Sequence, residues 1–288
     1  MLSIGLCAQL ACIWEATARK PGNVHRYADF ADLTYLDLLN SAAAVAPILN
    51  GASLWGVGKS ILESVKATRC VAKTNPNLGI VLLLAPLAAV PPSQELRAGL
   101  PRILDRLDLA DARLAYEAIR LAGAGGMGRV AEQDIHEEPT KTLREAMALA
   151  ADRDLIAQQY VNGYLEVFQE GVPALRRGLE QTGCLEKAII ACQLDLLASH
   201  PDSLIARKHG PAEEASRRAQ SVLALGWPGG EASRQTLIEF DRWLRADGHR
   251  RNPGTTADLV TACLFVLLRN GTIELPPQYP WSADPDHG

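Results

Sequence analysis

The chain has 288 residues, of which 48% are hydrophobic and only 5% aromatic, and it carries a net charge of −4. This length can bury a substantial core. The negative net charge excludes a global positive field of the kind that holds nucleic acid. Ala and Leu, both strong helix formers, supply most of the hydrophobic mass, and the composition therefore favours an all-α fold.

The sequence has no segment typical of export or membrane insertion. The N-terminus lacks a basic region, and Gln9 and Glu15 interrupt its apolar residues, which argues against a signal peptide. The longest apolar stretch, 78–90, contains Pro86 and is too short to span a bilayer, so it predicts a buried helix. The six cysteines form no CxxC pair, which favours reduced thiols buried on helices. We therefore expect a cytoplasmic protein.

Helical periodicity recurs along the whole chain, and the one candidate strand, 81–84, lies within a Leu/Ala segment that prefers helix. Asp32 is expected to cap a helix that runs towards Leu49, and Asp108 a helix that stops at Gly123. Further amphipathic stretches predict helices at 141–151, 153–170, 184–199, 211–225, 233–247 and 255–270.

Polar segments rich in Gly, Pro, Asn and Asp separate these helices, and none is typical of a flexible interdomain linker. They occupy 20–31, 73–79, 123–139, 200–210 and 249–256. We predict a single large multi-helix domain over residues 1–275. The Pro-rich tail, 276–288, is expected to wrap the surface or to be disordered.

Two glycine patterns imitate nucleotide-binding motifs but lack their context. Segment 56–60 ends like a P-loop, yet Ser53 stands where that motif needs Gly, and no strand precedes it. Segment 123–128 matches G-x-G-x-x-G but follows a helix instead of a strand. We interpret the first as a helix start, and the second as a loop that moves or allows close approach.

Four polar turns are more informative. KPGNVH at 20–25 ends the first helix with a cation and a Pro-Gly turn, and NPNLG at 75–79 places amides before the buried helix, whose N-terminus can bind an anion. DSLIARK at 202–208 joins a carboxylate to two cations, and RRNPGTTAD at 250–258 leads cations and hydroxyls into an apolar helix. Each turn also suits an ordinary helix end, and residue spacing alone leaves both interpretations open.

Taken in chain order, these turns resemble the triphosphoribosyl-dephospho-CoA synthase family, over roughly residues 8 to 270. The resemblance rests on Glu15, KPGNVH at 20–25, Ser41, NPNLG at 75–79, DSLI at 202–205 and NPGTTADL at 252–259. The chain departs from the family's NTHKG-type loop at 75–79, where it lacks the His and the Lys, and it differs again at 27–30. It is therefore similar to a divergent member.

The resemblance implies an all-helical enzyme that joins the 2′-hydroxyl of 3′-dephospho-CoA to C1 of the ATP ribose and expels adenine. It makes Glu15, Asp202 and Asp258 the catalytic candidates, and Asp202 and Asp258 also the candidate ligands of Mg²⁺. It implies a loop-built polar cleft whose substrate-binding residues are Lys20, Gly22, Asn23, His25, Ser41, Asn75, Asn77, Gly79, Ser203, Arg207, Lys208, Asn252, Gly254, Thr255 and Thr256.

The expected partners are small nucleotides, with ATP as substrate, and neither nucleic acid nor membrane; a homodimer is left open. Three alternatives remain at this point. The acceptor could be a different cofactor precursor, for example in a one-carbon pathway. The scaffold could instead support kinase-like phosphoryl transfer, which releases ADP. It could also be a non-catalytic helical nucleotide-binding or scaffold protein.

Overall fold

The computed structural model describes residues 2–123, 135 and 137–279, and within these residues every regular element is helical. The predicted all-α fold is confirmed. The helices are α1 (Ile4–Thr17), α2 (Tyr35–Asn50), α3 (Ala52–Trp55), α4 (Val57–Val71), α5 (Leu78–Ala89), α6 (Leu96–Asp105), α7 (Leu109–Ala122), α8 (Leu143–Ala148), α9 (Leu155–Asn162), a π-helical segment (Glu166–Gly171), α10 (Val172–Thr182), α11 (Leu185–Ser199), α12 (Ser203–Arg207), α13 (Ala212–Ala224), α14 (Glu231–Arg245) and α15 (Gly254–Arg269).

Side-chain caps fix several of the helix ends. Asp108 caps α7 and Gly123, at φ +61°, ends it, as predicted. The expected cap at Asp32 is wrong, because Thr34 caps α2 in a reciprocal pair with Asp37. The Thr34 hydroxyl accepts from the Asp37 amide, and the Asp37 carboxylate accepts from the Thr34 amide, which leaves Asp32 free to face elsewhere.

The continuous helix expected over 153–170 is also wrong. α9 ends at Asn162 because Gly163 (φ +73°) and Tyr164 (φ +64°) both adopt left-handed backbone conformations. The Tyr164 hydroxyl donates to the carbonyl of Leu83 at 2.9 Å, so a tertiary contact holds this break in place. The chain resumes in the π-helical segment and α10, and neither α6 nor α10 is among the predicted helices.

Two helices, α5 and α15, form the centre of the main core. The stretch 78–90 is the buried helix that its composition predicts, and every residue of α5 except Gly79 is buried. Between residues 255 and 268, every residue of α15 except Asp258 is buried as well. The one less-buried residue of each stretch therefore marks where the core opens to a cleft.

A smaller apolar cluster joins α12, α13 and α14 to α11, whose other side contributes to the main core. The start of the tail lies on the protein, since the Leu185 amide donates to the carbonyl of Gln278 and the Tyr279 hydroxyl donates to the carbonyl of Trp14. Residues 280–288 lie outside the described part of the chain. The division at residue 275 stays a prediction.

Among the described residues, none of the helices combines the length and the apolar character needed to cross a membrane. All six cysteines are free thiols, and five of them are buried as expected. Cys70 is the exception, because it lies on an exposed face of α4.

Candidate functional site

A cleft of about 1160 Å³ opens where several helices begin. The first residues or caps of α5, α9, α12 and α15 all line it, through Leu78, Asp154, Ser203 and Gly254. The N–H groups of a first helical turn have no partners within their own helix, and they carry the positive end of the helix dipole. Several such ends around one cleft favour anionic ligands.

The structure brings together residues from three of the four polar turns along this cleft. Those predicted site residues that line the cleft are Asn75, Asn77, Gly79, Ser203, Arg207, Lys208, Asn252, Gly254, Thr255 and Asp258. The other eight, Glu15, Lys20, Gly22, Asn23, His25, Ser41, Asp202 and Thr256, are not part of its lining.

Asp258 is a carboxylate of the cleft wall, and it faces the beginning of α5. A Cβ atom added at Gly79 would come within 2.0 Å of Asp258 Oδ2, so the carboxylate needs a glycine at this position. Burial raises the pKa of Asp258 well above its usual value, and the nearby negative charges of Glu15, Asp202 and Asp154 raise it further. Asp258 therefore holds a proton to higher pH than an ordinary carboxyl group.

Positive side chains outnumber negative ones in the described lining, although the chain as a whole is negative. The cations are Arg69, Lys73, Arg153, Arg207 and Lys208, and the acids are Asp32, Asp154 and Asp258. A local excess of positive charge in a concave site favours phosphate-bearing ligands.

Two buried donors at the cleft are left without partners among the described residues. The Thr68 hydroxyl donates to Asn77 Oδ1 at 3.2 Å and fixes the amide, while Asn77 Nδ2 has no acceptor. Arg207 Nη1 lies 3.6 Å from Asp154 Oδ2, yet Arg207 Nε is unpaired. Because buried N–H groups are costly when unpaired, these two are suited to meet a ligand.

Asp202 lies behind the cleft wall and is fully buried. Its Oδ1 accepts from the amides of Leu204 and Ile205, which caps α12. Its Oδ2 accepts from the amide and the hydroxyl of Thr256, both at 2.7 Å. Four donors thus occupy this carboxylate, and the geometry suits the joining of α12 to α15 better than it suits a metal ligand or a base.

Glu15 and Lys20 form a buried ion pair that, like Asp202, does not line the cleft. Lys20 Nζ lies 2.8 Å from Glu15 Oε1 and donates to the Glu15 carbonyl at 2.6 Å, and the Lys20 side chain is fully buried. Burial raises the pKa of Glu15, although the charge of Lys20 opposes this shift. The pair is inaccessible to a phosphate, but the charge of Glu15 still acts on Asp258.

Other residues of the 20–25 turn form a hydrogen bond to the 252–258 turn and pack against it. The Asn23 Nδ2 group donates to Asn252 Oδ1 at 2.8 Å, and Gly22, at φ +77°, leaves no room for a Cβ beside Leu244 and Pro253. His25 is buried, and burial together with nearby positive charges, led by that of Arg245, lowers its pKa to about 3. It is therefore neutral at physiological pH.

Ser41 lies on α2, and its hydroxyl donates to the Leu38 carbonyl. Segment 56–60 is a helix start, as predicted, with Gly56 (φ +84°) directly before α4. Gly123 ends α7 and lines the cleft, while the remainder of the G-x-G-x-x-G segment lies outside the described residues.

Several cleft residues were not among the predicted site residues, namely Phe30, Asp32, Arg69, Lys73, Arg153, Asp154, His209 and His249. The ring centroids of Phe30 and His249 are 3.8 Å apart, and both histidines adopt positive φ angles. Phe30, Lys73, His209 and His249 lie within the polar segments that the sequence marks out. Asp154 carried a different signal, because an Asp directly before an apolar helical stretch predicts a cap.

Within residues 2–123, 135 and 137–279, no group of three or more His, Cys, Asp and Glu side chains is arranged to hold a metal ion. Mg²⁺ often needs only one or two protein carboxylates when substrate phosphates supply its other ligands. Asp154 lies in the cleft lining with Asp258, so this lining offers carboxylate oxygens to an ion that arrives with a nucleotide.

An all-helical scaffold around a large, cation-rich cleft is the arrangement expected of a helical protein with a site for phosphorylated ligands. Comparison with known proteins narrows this class. Residues 1–275 match the family model described as "CitG: ATP:dephospho-CoA triphosphoribosyl transferase". The chain belongs to this family.

Individual relatives agree with the family match. A crystal structure from Archaeoglobus fulgidus, of a candidate triphosphoribosyl-dephospho-CoA synthase, is 28% identical with a TM-score of 0.62, and the match covers 81% of this chain and 99% of that one. Probable 2-(5″-triphosphoribosyl)-3′-dephosphocoenzyme-A synthases of Pseudomonas paraeruginosa and Pseudomonas putida are each 31% identical, over 106 and 112 residues. These matches cover 36% and 38% of this chain, and they span 36% and 39% of the relatives' length.

Proposed function

We propose that the protein is a transferase that moves the triphosphoribosyl group of ATP to the 2′-hydroxyl of 3′-dephospho-CoA and releases adenine. The observation that carries the proposal is the cleft itself, where helix N-termini and cations surround one carboxyl group, Asp258, whose pKa is raised. Membership of the family supports the same reaction.

The size of the cleft supports two simultaneous substrates. Sites for a single small molecule usually have volumes of about 300–1,000 Å³, and this cleft, at about 1160 Å³, exceeds that range. Transfer of a triphosphoribosyl group between two nucleotides requires both to be held in contact, because correct placement of two reactants supplies much of the rate.

We assign the phosphates of the donor, ATP, to the part of the cleft beside α12 and the beginning of α5. Arg207 and Lys208 supply positive charge there, and the first-turn N–H groups of α5 supply donors. Asn77 Nδ2, which is fixed by Thr68 and has no acceptor among the described residues, is suited to an oxygen or ring nitrogen of the nucleotide. Asn252, also in the lining, is the second amide able to contact a ribose or base.

The chemical step breaks the bond between C1 of the ATP ribose and the adenine nitrogen, and it forms a bond from C1 to the acceptor oxygen. Positive charge develops on the ribose, as in glycoside cleavage. The acceptor hydroxyl loses a proton and adenine gains one, so the reaction balances without any oxidant or reductant. Asp258 is assigned as the base that takes the hydroxyl proton, since a raised pKa makes a carboxylate a stronger base.

Mg²⁺ bound with ATP would neutralise part of the triphosphate charge, and Asp154 is the cleft carboxylate that would hold it, which leaves Asp258 to act as the base. Asp202 and the Glu15–Lys20 pair are assigned a positioning role. Asp202 fixes the turn before Asp258 through Thr256, and Glu15 acts on Asp258 only through its charge.

Chromatography of a reaction with ATP, Mg²⁺ and dephospho-CoA tests the proposal, because adenine and ADP separate cleanly. The expected product is adenine, formed only when the acceptor is present. Asp258→Asn should lower the rate by about 10²–10⁴-fold. Asp105→Asn is the matched control, because the Asp105 side chain is 64% exposed and lies outside the cleft lining, and it should leave the rate unchanged. Release of ADP would favour phosphoryl transfer, and adenine release with another cofactor precursor alone would reassign the acceptor.

A further inference from the structure

Part of the cleft is lined by aliphatic side chains that have no assigned role in the reaction at C1. This apolar arm consists of Leu82, Ile119, Leu143, Ala146, Met147 and Ile156. Residues of α7 and α8 supply most of it, and these two helices pack against each other. Leu82, Ile119, Leu143 and Ile156 are buried, whereas Ala146 and Met147 are partly exposed. Aliphatic side chains that line a cleft in this way are characteristic of ligand binding.

We infer that the apolar arm binds the pantetheine part of the acceptor. This inference rests on the proposed function. The triphosphate of ATP and the adenosine parts of both nucleotides need charges or hydrogen-bonding groups, which the α12 and α15 side of the cleft supplies. Pantetheine is uncharged and flexible, with a gem-dimethyl group and a thiol end, so it is the substrate portion that gains most from contact with aliphatic side chains.

The distribution of cations agrees with this placement. Arg207 and Lys208 lie at the end of α12, whereas Arg69 and Lys73 lie at and just beyond the end of α4. Arg69 is held towards α7 by a hydrogen bond from its Nη1 group to the carbonyl of Leu121. Two pairs of cations on different elements suit two phosphate-bearing substrates, and the pair beside the apolar arm is placed to meet the diphosphate that precedes pantetheine.

Met147 adds adaptability to the apolar arm. It lies partly buried against the main core and lines the cleft, and its unbranched thioether can follow the shape of a flexible ligand. Binding of a part of the substrate that does not react is useful for catalysis, because this energy can hold the hydroxyl near C1. The apolar arm would thus determine which acceptor is used.

Two alanines on α8 provide a matched test. Ala146 lines the cleft, whereas Ala148 is exposed on the same helix and does not. Ala146→Phe should fill the apolar arm and raise the KM for dephospho-CoA by about tenfold or more, with the KM for ATP changed less than about twofold. Ala148→Phe should change neither. Equal effects of the two variants, or a larger effect on ATP than on the acceptor, would overturn the assignment.

A competition experiment on the native chain tests the assignment even if Ala146→Phe fails to fold. 4′-Phosphopantetheine carries the proposed arm ligand but no ribose, so it cannot accept the transferred group. It should compete with dephospho-CoA and not with ATP, and calorimetry should detect its binding to the native chain and to Ala148→Phe but not to Ala146→Phe. Absence of competition despite adenine release overturns only this inference, whereas absence of adenine release with intact phosphopantetheine binding overturns only the proposed reaction.

Discussion

Replacing Gly79 with Ala should displace the carboxylate of Asp258, the proposed base, without changing Asp258 itself. The added Cβ would lie 2.0 Å from Asp258 Oδ2 and 2.8 Å from Ile156 Cδ1, whereas real contacts of this kind stay above 3.0 Å. The carboxylate therefore has to move by about 1 Å. Displacements of this size at a reacting group can cost about a hundredfold in rate, which corresponds to about 2.7 kcal/mol of transition-state stabilisation.

The stability of Gly79→Ala should change far less than its activity. Overpacking a buried position costs about 1–3 kcal/mol, and replacing a helical glycine by alanine returns roughly 0.5–1 kcal/mol. We expect urea unfolding to show a loss of at most about 2.5 kcal/mol, which leaves the variant folded. Adenine release at saturating substrate should fall about a hundredfold.

Gly229→Ala is the control for this experiment. A Cβ at position 229 meets only the carbonyl of Gly226 at 3.5 Å, an ordinary contact. This variant should keep the activity of the native chain. If Gly79→Ala is equally active, then Asp258 does not need the position it occupies, and its assignment as the base is wrong.

Three further predictions concern buried charges. Asp258→Asn should raise the free energy of unfolding at neutral pH. The pKa of Asp258 is raised in the folded protein, so its ionisation costs stability as the pH rises above the ordinary carboxyl range. In urea titrations, the gain of the variant over the native chain should vanish towards about pH 4. Glu186→Gln should cost about 3–5 kcal/mol of unfolding free energy at neutral pH. Burial alone would raise the pKa of Glu186, but hydrogen bonds, led by the one from Arg26, lower it. The stability advantage of the native chain should therefore fade in urea titrations as the pH drops through the lowered pKa, and an equal loss at every pH would contradict a role for this ion pair. Lys20→Met should also cost about 3–5 kcal/mol in unfolding experiments, and adding Glu15→Gln to this variant should recover part of the loss. A raised KM for ATP with unchanged stability would instead show that Lys20 binds phosphate.

Local sequence signals predicted much of the fold. The apolar stretch that became α5 and the Asp108 and Gly123 signals of α7 depend on residues close in the chain, and the structure agrees with them. The break at Gly163 was missed, because a single glycine within a helical pattern does not reveal that a distant carbonyl, that of Leu83, holds Tyr164 in place.

The site could be predicted only in part, for a similar reason. Turn composition and family resemblance pointed to segments that do meet, but neither separates the groups that face the cleft from those behind its wall. Lys20 and Asp202 have the chemistry of ligand-binding residues, yet the packing buries both of them fully. Arg69 and Arg153 look like ordinary helix-surface cations in the sequence, and only tertiary structure places them in the lining.

The fate of the two ends of ATP tests the central claim most directly. ATP labelled in both the adenine ring and the γ-phosphate would be incubated with the protein, Mg²⁺ and dephospho-CoA, and the products separated. We predict that the ring label appears as free adenine while the γ-phosphate label joins the acceptor, in equal amounts. Recovery of the ring label in ADP, or of both labels in unchanged ATP that is demonstrably bound, would contradict it.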